Sequence, residues 1–159
     1  MSGTVRERSG ACAVPLFVNE AWREQFPFIV QGTTGRGSDE FDLGLFRDAA
    51  VGSVMARWRR PREATGMTTA VHARQVHGAH VLQHDAPPAG LVVADDADGH
   101  VTATPGVLLT VSIADCVPVA IVAPNLRVVA ALHAGWRGAA GGVLEAGIAS
   151  MRRLGAEPQ

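Results

Sequence analysis

Apolar, β-branched runs are concentrated in the second half of the chain. Val107–Ile113, Val117–Val122 and Val128–Leu132 read as three buried strands. A helical run follows from about Ala139 to Arg153, with Val143, Leu144, Ile148, Met151 and Leu154 on its inner side. The first half is less regular. Phe26–Val30 predicts a short strand, and Ala49–Arg60 predicts a helix with Val51, Val54, Met55 and Trp58 at helical spacing, ended or kinked by Pro61. Met67–Gln75 and Ala79–Gln83 predict strands on either side of a Gln75-Val76-His77-Gly78 turn, and Ala86–Ala89 is a Pro-rich loop. Residues 1–24 are expected to be a flexible lead-in, with the folded domain over 25–159.

Length and composition narrow this picture. The 159 residues suffice for one domain with a proper core, and 47% hydrophobic against 18% charged residues marks a globular chain. A net charge of −1 gives no electrostatic reason to expect nucleic acid or an anionic membrane as partner. Arg57, Arg59, Arg60 and Arg62 cluster around Trp58, and read as a solvated helix face. Two cysteines, Cys12 and Cys116, are too few for a disulfide framework and point to a reducing, cytoplasmic setting. The N-terminal stretch has no signal-peptide core, and Pro118 and Pro124 interrupt the best membrane-span candidate. Asp95, Asp96 and Asp98 lack the spacing of a calcium loop and predict a turn before Val101.

Chemistry gathers where the strands stop. One run ends at Asp115-Cys116 and another at His133-Ala-Gly-Trp136-Arg137-Gly138, while His77 sits at a Gly turn. Of His72, His77, His80 and His84, only His77 is placed where a ligand would be presented. His77, Cys116 and His133 would offer two imidazoles and a thiolate, a set zinc accepts with a fourth position open. Copper also accepts it. Without a metal, Cys116 activated by a histidine would be a nucleophile. Asp115 is a candidate orienting carboxylate or general base, and Arg137 and Arg36 are candidate anion holders. The Gly/Thr loop Thr33–Ser38 that carries Arg36 lacks a phosphate-loop lysine.

Three motifs, Gln75-Val-His-Gly78, Ala114-Asp-Cys-Val-Pro-Val119 and His133-Ala-Gly-Trp-Arg-Gly138, together resemble the YfiH-type laccase-domain family. Its members are called multicopper polyphenol oxidases, purine nucleoside phosphorylases or peptidoglycan editing factors. Asp98-Gly-His-Val-Thr102 and Asp42-Leu-Gly44 are supporting matches. The resemblance implies an α/β (α+β) fold of mixed β-sheets sandwiched by helices. It implies His77, Cys116 and His133 as zinc ligands, with Cys116, His133, Asp115 and Arg137 in catalysis and Arg36, Gln75 and Arg137 at the substrate. The activity it implies is phosphorolysis of adenosine, inosine, guanosine and methylthioadenosine, with some deamination of adenosine, so the expected partners are a small nucleoside and phosphate. Copper-dependent phenol oxidation, editing of a peptidoglycan precursor and an inactive remnant are the alternatives. The chain is expected to lack roughly the C-terminal third of a family member, since it stops before the family's G-P-x-I-G segment.

Overall fold

The computed structural model describes residues 7–9, 14–35, 41–46 and 48–157. They fall into two compact units, residues 1–66 and 67–159, and the mixed α/β class is the one expected.

In the first unit, β1 (Glu7–Ser9), β2 (Leu16–Asn19) and β3 (Thr33–Thr34) form an antiparallel sheet with β2 central. Asn19 ends β2 and starts α1 (Glu20–Gln25): its side-chain oxygen accepts from the Trp22 N–H at 3.2 Å, satisfying one free donor of the first turn. Part of the expected lead-in is therefore regular structure. The strand expected over Phe26–Val30 does not form. Phe26 caps α1, Ile29 N–H turns back onto the Phe26 carbonyl, and the Phe26 ring packs edge-on against Trp22 and Phe28. The expected helix is present as α2 (Val51–Thr65), but Pro61 lies within it and does not end it. Val54, Trp58 and Pro61 form one buried stripe, so the ring serves as core. The helix stops at Gly66, whose φ of 70° is the left-handed conformation of a C-terminal cap. The arginine-rich face is engaged locally: Arg57 donates to the Asp42 carbonyl and Arg60 lies 5.0 Å over the Phe41 ring.

The second unit holds two sheets. A parallel one has the order β6 (Gly90–Ala94), β4 (Thr69–Ala73), β8 (Val107–Leu109). All five residues of β4 are buried, as a central parallel strand requires. β6 adds to the expected strands; its Gly-Leu-Val-Val-Ala is a short apolar run bounded by turn residues. β8 ends at Leu109, not at Ile113, because beyond it side chains take over the pairing: Thr110 and Gln75 bond the backbones of Val71 and Ser112. The other sheet runs β5 (Val81–Gln83), β7 (Gly99–Thr102), β10 (Val128–Ala134), β9 (Val117–Ala123), antiparallel except for β5 with β7.

The helix expected over 139–153 is two helices. α3 (Trp136–Ala140) starts earlier, and Gly142 at φ 87° breaks the chain before α4 (Val143–Arg153). The helix end beside His133 thus belongs to a five-residue helix, with little dipole to offer an anion. α4 lies on β10, and Val143 and Met151 join Val101, Val128, Ala130 and Leu132 in the core. A Cβ at Gly147 would sit 2.6 Å from a Leu132 methyl. Glycine is what lets α4 lie so close to the strand that delivers His133.

Candidate metal centre

Three chain segments converge in the second unit. β10 carries His133 next to its end, the turn after β4 carries His77, and Cys116 is the last residue before β9. Because Ala134 pairs with Val117, the ends of the two strands bring His133 and Cys116 side by side. The ligand atoms of His77, Cys116 and His133 all lie within 4.8 Å of one another. His77 is exposed, Cys116 is partly covered and His133 is buried, so the group opens to solvent on one side. The two imidazoles meet edge to face, centroids 4.8 Å apart.

Glycines make the convergence possible. A Cβ on Gly135 would stand 2.9 Å from His77 Cδ2 and 3.0 Å from Cys116 Sγ, so the cradle exists because that atom is missing. A Cβ on Gly138 would stand 2.7 Å from the Gly78 carbonyl oxygen. The start of α3 therefore rests backbone to backbone on the His77 turn.

The carboxylate at the centre is Asp98, fully buried immediately before β7. Its Oδ1 accepts from His133 Nδ1 at 2.8 Å and from the His77 N–H at 2.9 Å. Its Oδ2 accepts from the N–H groups of Gly78 at 2.7 Å and Val76 at 3.2 Å. Burial, the largest single influence, opposes its charge. The His133 bond and the three backbone donors together outweigh it and hold the carboxyl below its ordinary value. An ionised carboxylate only accepts, so His133 Nδ1 carries a proton, and Nε2 is the nitrogen that a neutral ring would offer to a ligand. His77 has φ 61°, a rare conformation for a residue with a side chain, and its own N–H is one of the bonds that hold it.

The remaining expected site residues are placed differently. Asp115 is exposed at the turn before Cys116, and the carboxylate bonded to a ligand histidine is that of Asp98. Arg137 is exposed, its guanidinium 4.8 Å over the Trp136 ring, which is itself 74% exposed. The Gln75 amide, expected at the substrate, is committed to the backbone: Nε2 donates to the Ser112 carbonyl at 2.8 Å and Oε1 accepts from the Ser112 N–H at 2.6 Å. Arg36 and Cys12 lie outside the described residues. Asp98 is the functional residue that sequence reasoning passed over; its signal was an Asp-Gly pair opening an apolar strand.

Comparison with known proteins gives the family and the shared fold. Residues 30–159 match the family described as multi-copper polyphenol oxidoreductase laccase. The chain belongs to that family. A purine nucleoside phosphorylase of Corynebacterium glutamicum is 40% identical over 142 residues, covering 88% of this chain and 58% of that protein. One of Xylella fastidiosa is 41% identical over 112 residues, covering 69% of this chain and 43% of the relative. The crystal structure of the hypothetical protein YfiH of Bacillus licheniformis superposes with a TM-score of 0.78 at 22% identity, over 94% of this chain and 60% of that one, and shows the shared fold. The chain thus spans about half the length of the curated relatives it matches. Among the described residues, no helix is long and apolar enough to cross a membrane.

Proposed function

We propose that the chain is the metal-binding part of a zinc-dependent purine nucleoside phosphorylase that acts on adenosine, inosine, guanosine and methylthioadenosine, with a secondary deaminase activity on adenosine. The observation that carries this reading is the His77/Cys116/His133 group, whose ligand atoms lie within 4.8 Å and whose buried histidine is turned to offer Nε2. Two neutral imidazoles and a thiolate suit zinc, and the three side chains converge on one place because Gly135 has no Cβ to stand between them. Zinc held there would supply Lewis acidity beside an open position.

The chain's own groups account for the rest. In phosphorolysis the C–N bond between ribose and purine breaks as a phosphate oxygen bonds to the same ribose carbon. Arg137, exposed one residue after Trp136, is the cation assigned to the phosphate. In deamination, water replaces the exocyclic amine of adenine, and the Asp115 carboxylate is assigned the proton that the water gives up. Copper-dependent phenol oxidation is the second reading, favoured by the family's description. It ranks lower because, among the described residues, one group of three ligands is present, enough for a single ion and not a cluster.

The deciding measurement is metal content by elemental analysis of wild type and Cys116→Ala, each purified without added metal, followed by release of free purine from inosine and phosphate. Near-stoichiometric zinc, lost in the variant together with purine release, is expected. Copper in its place would transfer the assignment to phenol oxidation. A folded wild type without metal would overturn both.

A further inference from the structure

We infer that two side chains outside the ligand set, Asp98 and Gln75, are positioning residues that build the His77/Cys116/His133 group, Asp98 for the two histidines and Gln75 for the cysteine. The inference rests on reading that group as a metal site.

A carboxylate has about four acceptor positions, and Asp98 uses them on four donors from two segments: His133 Nδ1 and the N–H groups of Val76, His77 and Gly78. One buried group thereby fixes the tautomer of one ligand and the backbone of the other. Asparagine has the same shape but presents one oxygen, and its NH2 would face donors. Asp98→Asn therefore tests acceptor chemistry at nearly constant volume.

Gln75 opens the same turn and bonds the segment that leads to Cys116. The 110–115 segment leaves the β4 ladder after Leu109 and reaches Cys116 with no strand partner of its own. The two bonds from Gln75 to Ser112 mimic one more rung of that ladder, four residues before the thiol. Shortening the side chain frees the approach to Cys116, while the pairing of Val117 with Ala134 still holds the other side. A moderate effect confined to the thiolate is expected. Asp98 should have the larger effect, on the histidines.

The test is Co²⁺ titration of the apo form of the full chain, with thiolate-to-cobalt charge transfer and d–d absorption recorded separately. Affinity should fall about 10–100-fold in Asp98→Asn, the usual cost of losing a residue that orients a ligand. In Gln75→Ala it should fall by less than about tenfold, with the charge-transfer band weakened more than the d–d bands. Gln75→Glu, which can still accept from the Ser112 N–H, should recover part of that band. Wild-type affinity in Asp98→Asn, or an unchanged charge-transfer band in Gln75→Ala, would overturn the corresponding half. Nitrogen NMR of the apo wild type needs no variant to fold and no metal to bind: His133 protonated on Nδ1 supports the assignment, and His133 protonated on Nε2 overturns it. A wild type that ignores Co²⁺ but shows the Nδ1 proton would sink the proposed function and leave the orienting role of Asp98 standing.

Discussion

The second unit contains two groups of histidines built to opposite ends. In one, Asp98 holds the ring of His133 at Nδ1 and the backbone N–H of His77, and both rings lie beside a thiol. In the other, His84 Nε2 lies 2.9 Å from His100 Nδ1, and His72 Nδ1 lies 3.0 Å from the Thr110 hydroxyl. His100 is 1% exposed, and burial, then the neighbouring His84 and His72, push its pKa down to about 3. What differs is the partner of the two buried rings, His133 and His100. A carboxylate spends one nitrogen and frees the other for a ligand, whereas a second imidazole or a hydroxyl uses the ring as a neutral strut. Histidine count says little about function; what stands behind each ring says more.

The comparison breaks most severely at Gly135. Alanine there would place a methyl 2.9 Å from His77 and 3.0 Å from Cys116, so both ligands must move. Zn²⁺ or Co²⁺ affinity of Gly135→Ala should drop by about 100-fold or more, with overpacking costing about 1–3 kcal/mol of stability. The pair of measurements is a metal titration and a urea midpoint. Wild-type affinity in this variant would mean that the three ligands do not share one ion.

How much of this was legible beforehand follows from the kind of signal each part leaves. The run that carries His133 is apolar and stops at polar residues, and Cys116 stands immediately before another apolar run, so both candidate ligands lie at the ends of such runs. The division of the last helix was not legible, because Gly141-Gly142 inside an amphipathic pattern reads as a weak spot until Gly142 takes φ 87°. Of the two outcomes expected at Pro61, an end is excluded: the helix runs on to Thr65, and Pro61 is buried on the same stripe as Trp58. Asp98 stayed hidden because its four donors come from residues 20 to 35 positions away, and no local spacing encodes that. The bonds between the Gln75 amide and Ser112 leave no local signal either, because the two residues are 37 positions apart.

The strut histidines should show themselves in acid, and the sign follows from proton counting. The unfolded chain protonates His100 near its ordinary 6.5, whereas the folded chain resists until about 3. Between those values the unfolded state binds more protons, so stability falls as pH falls. From pH 7 to 5 this one group accounts for about 2 kcal/mol. The pKa values of His72 and His84 are also lowered, chiefly by burial, and they act in the same direction; Asp85 partly opposes the shift at His84. Urea unfolding of the metal-free chain should therefore show a smaller difference between pH 7 and pH 5 in His100→Leu than in wild type. An unchanged difference would mean that His100 takes up a proton in the folded protein.

His80 provides the mildest contrast, because it belongs to neither group. It is exposed, its Nδ1 lies 2.8 Å from the Asp96 carbonyl, and its own carbonyl receives the Asp98 N–H. The bond that matters for Asp98 therefore comes from the backbone, which alanine retains. His80→Ala should change stability by no more than about 0.5 kcal/mol, as surface substitutions do. Metal stoichiometry should stay at the wild-type value and the acid sensitivity set by His100 should persist. A loss of metal in this variant would place His80 in the ligand set and remove the distinction drawn between a ring backed by a buried carboxylate and one resting on a surface carbonyl.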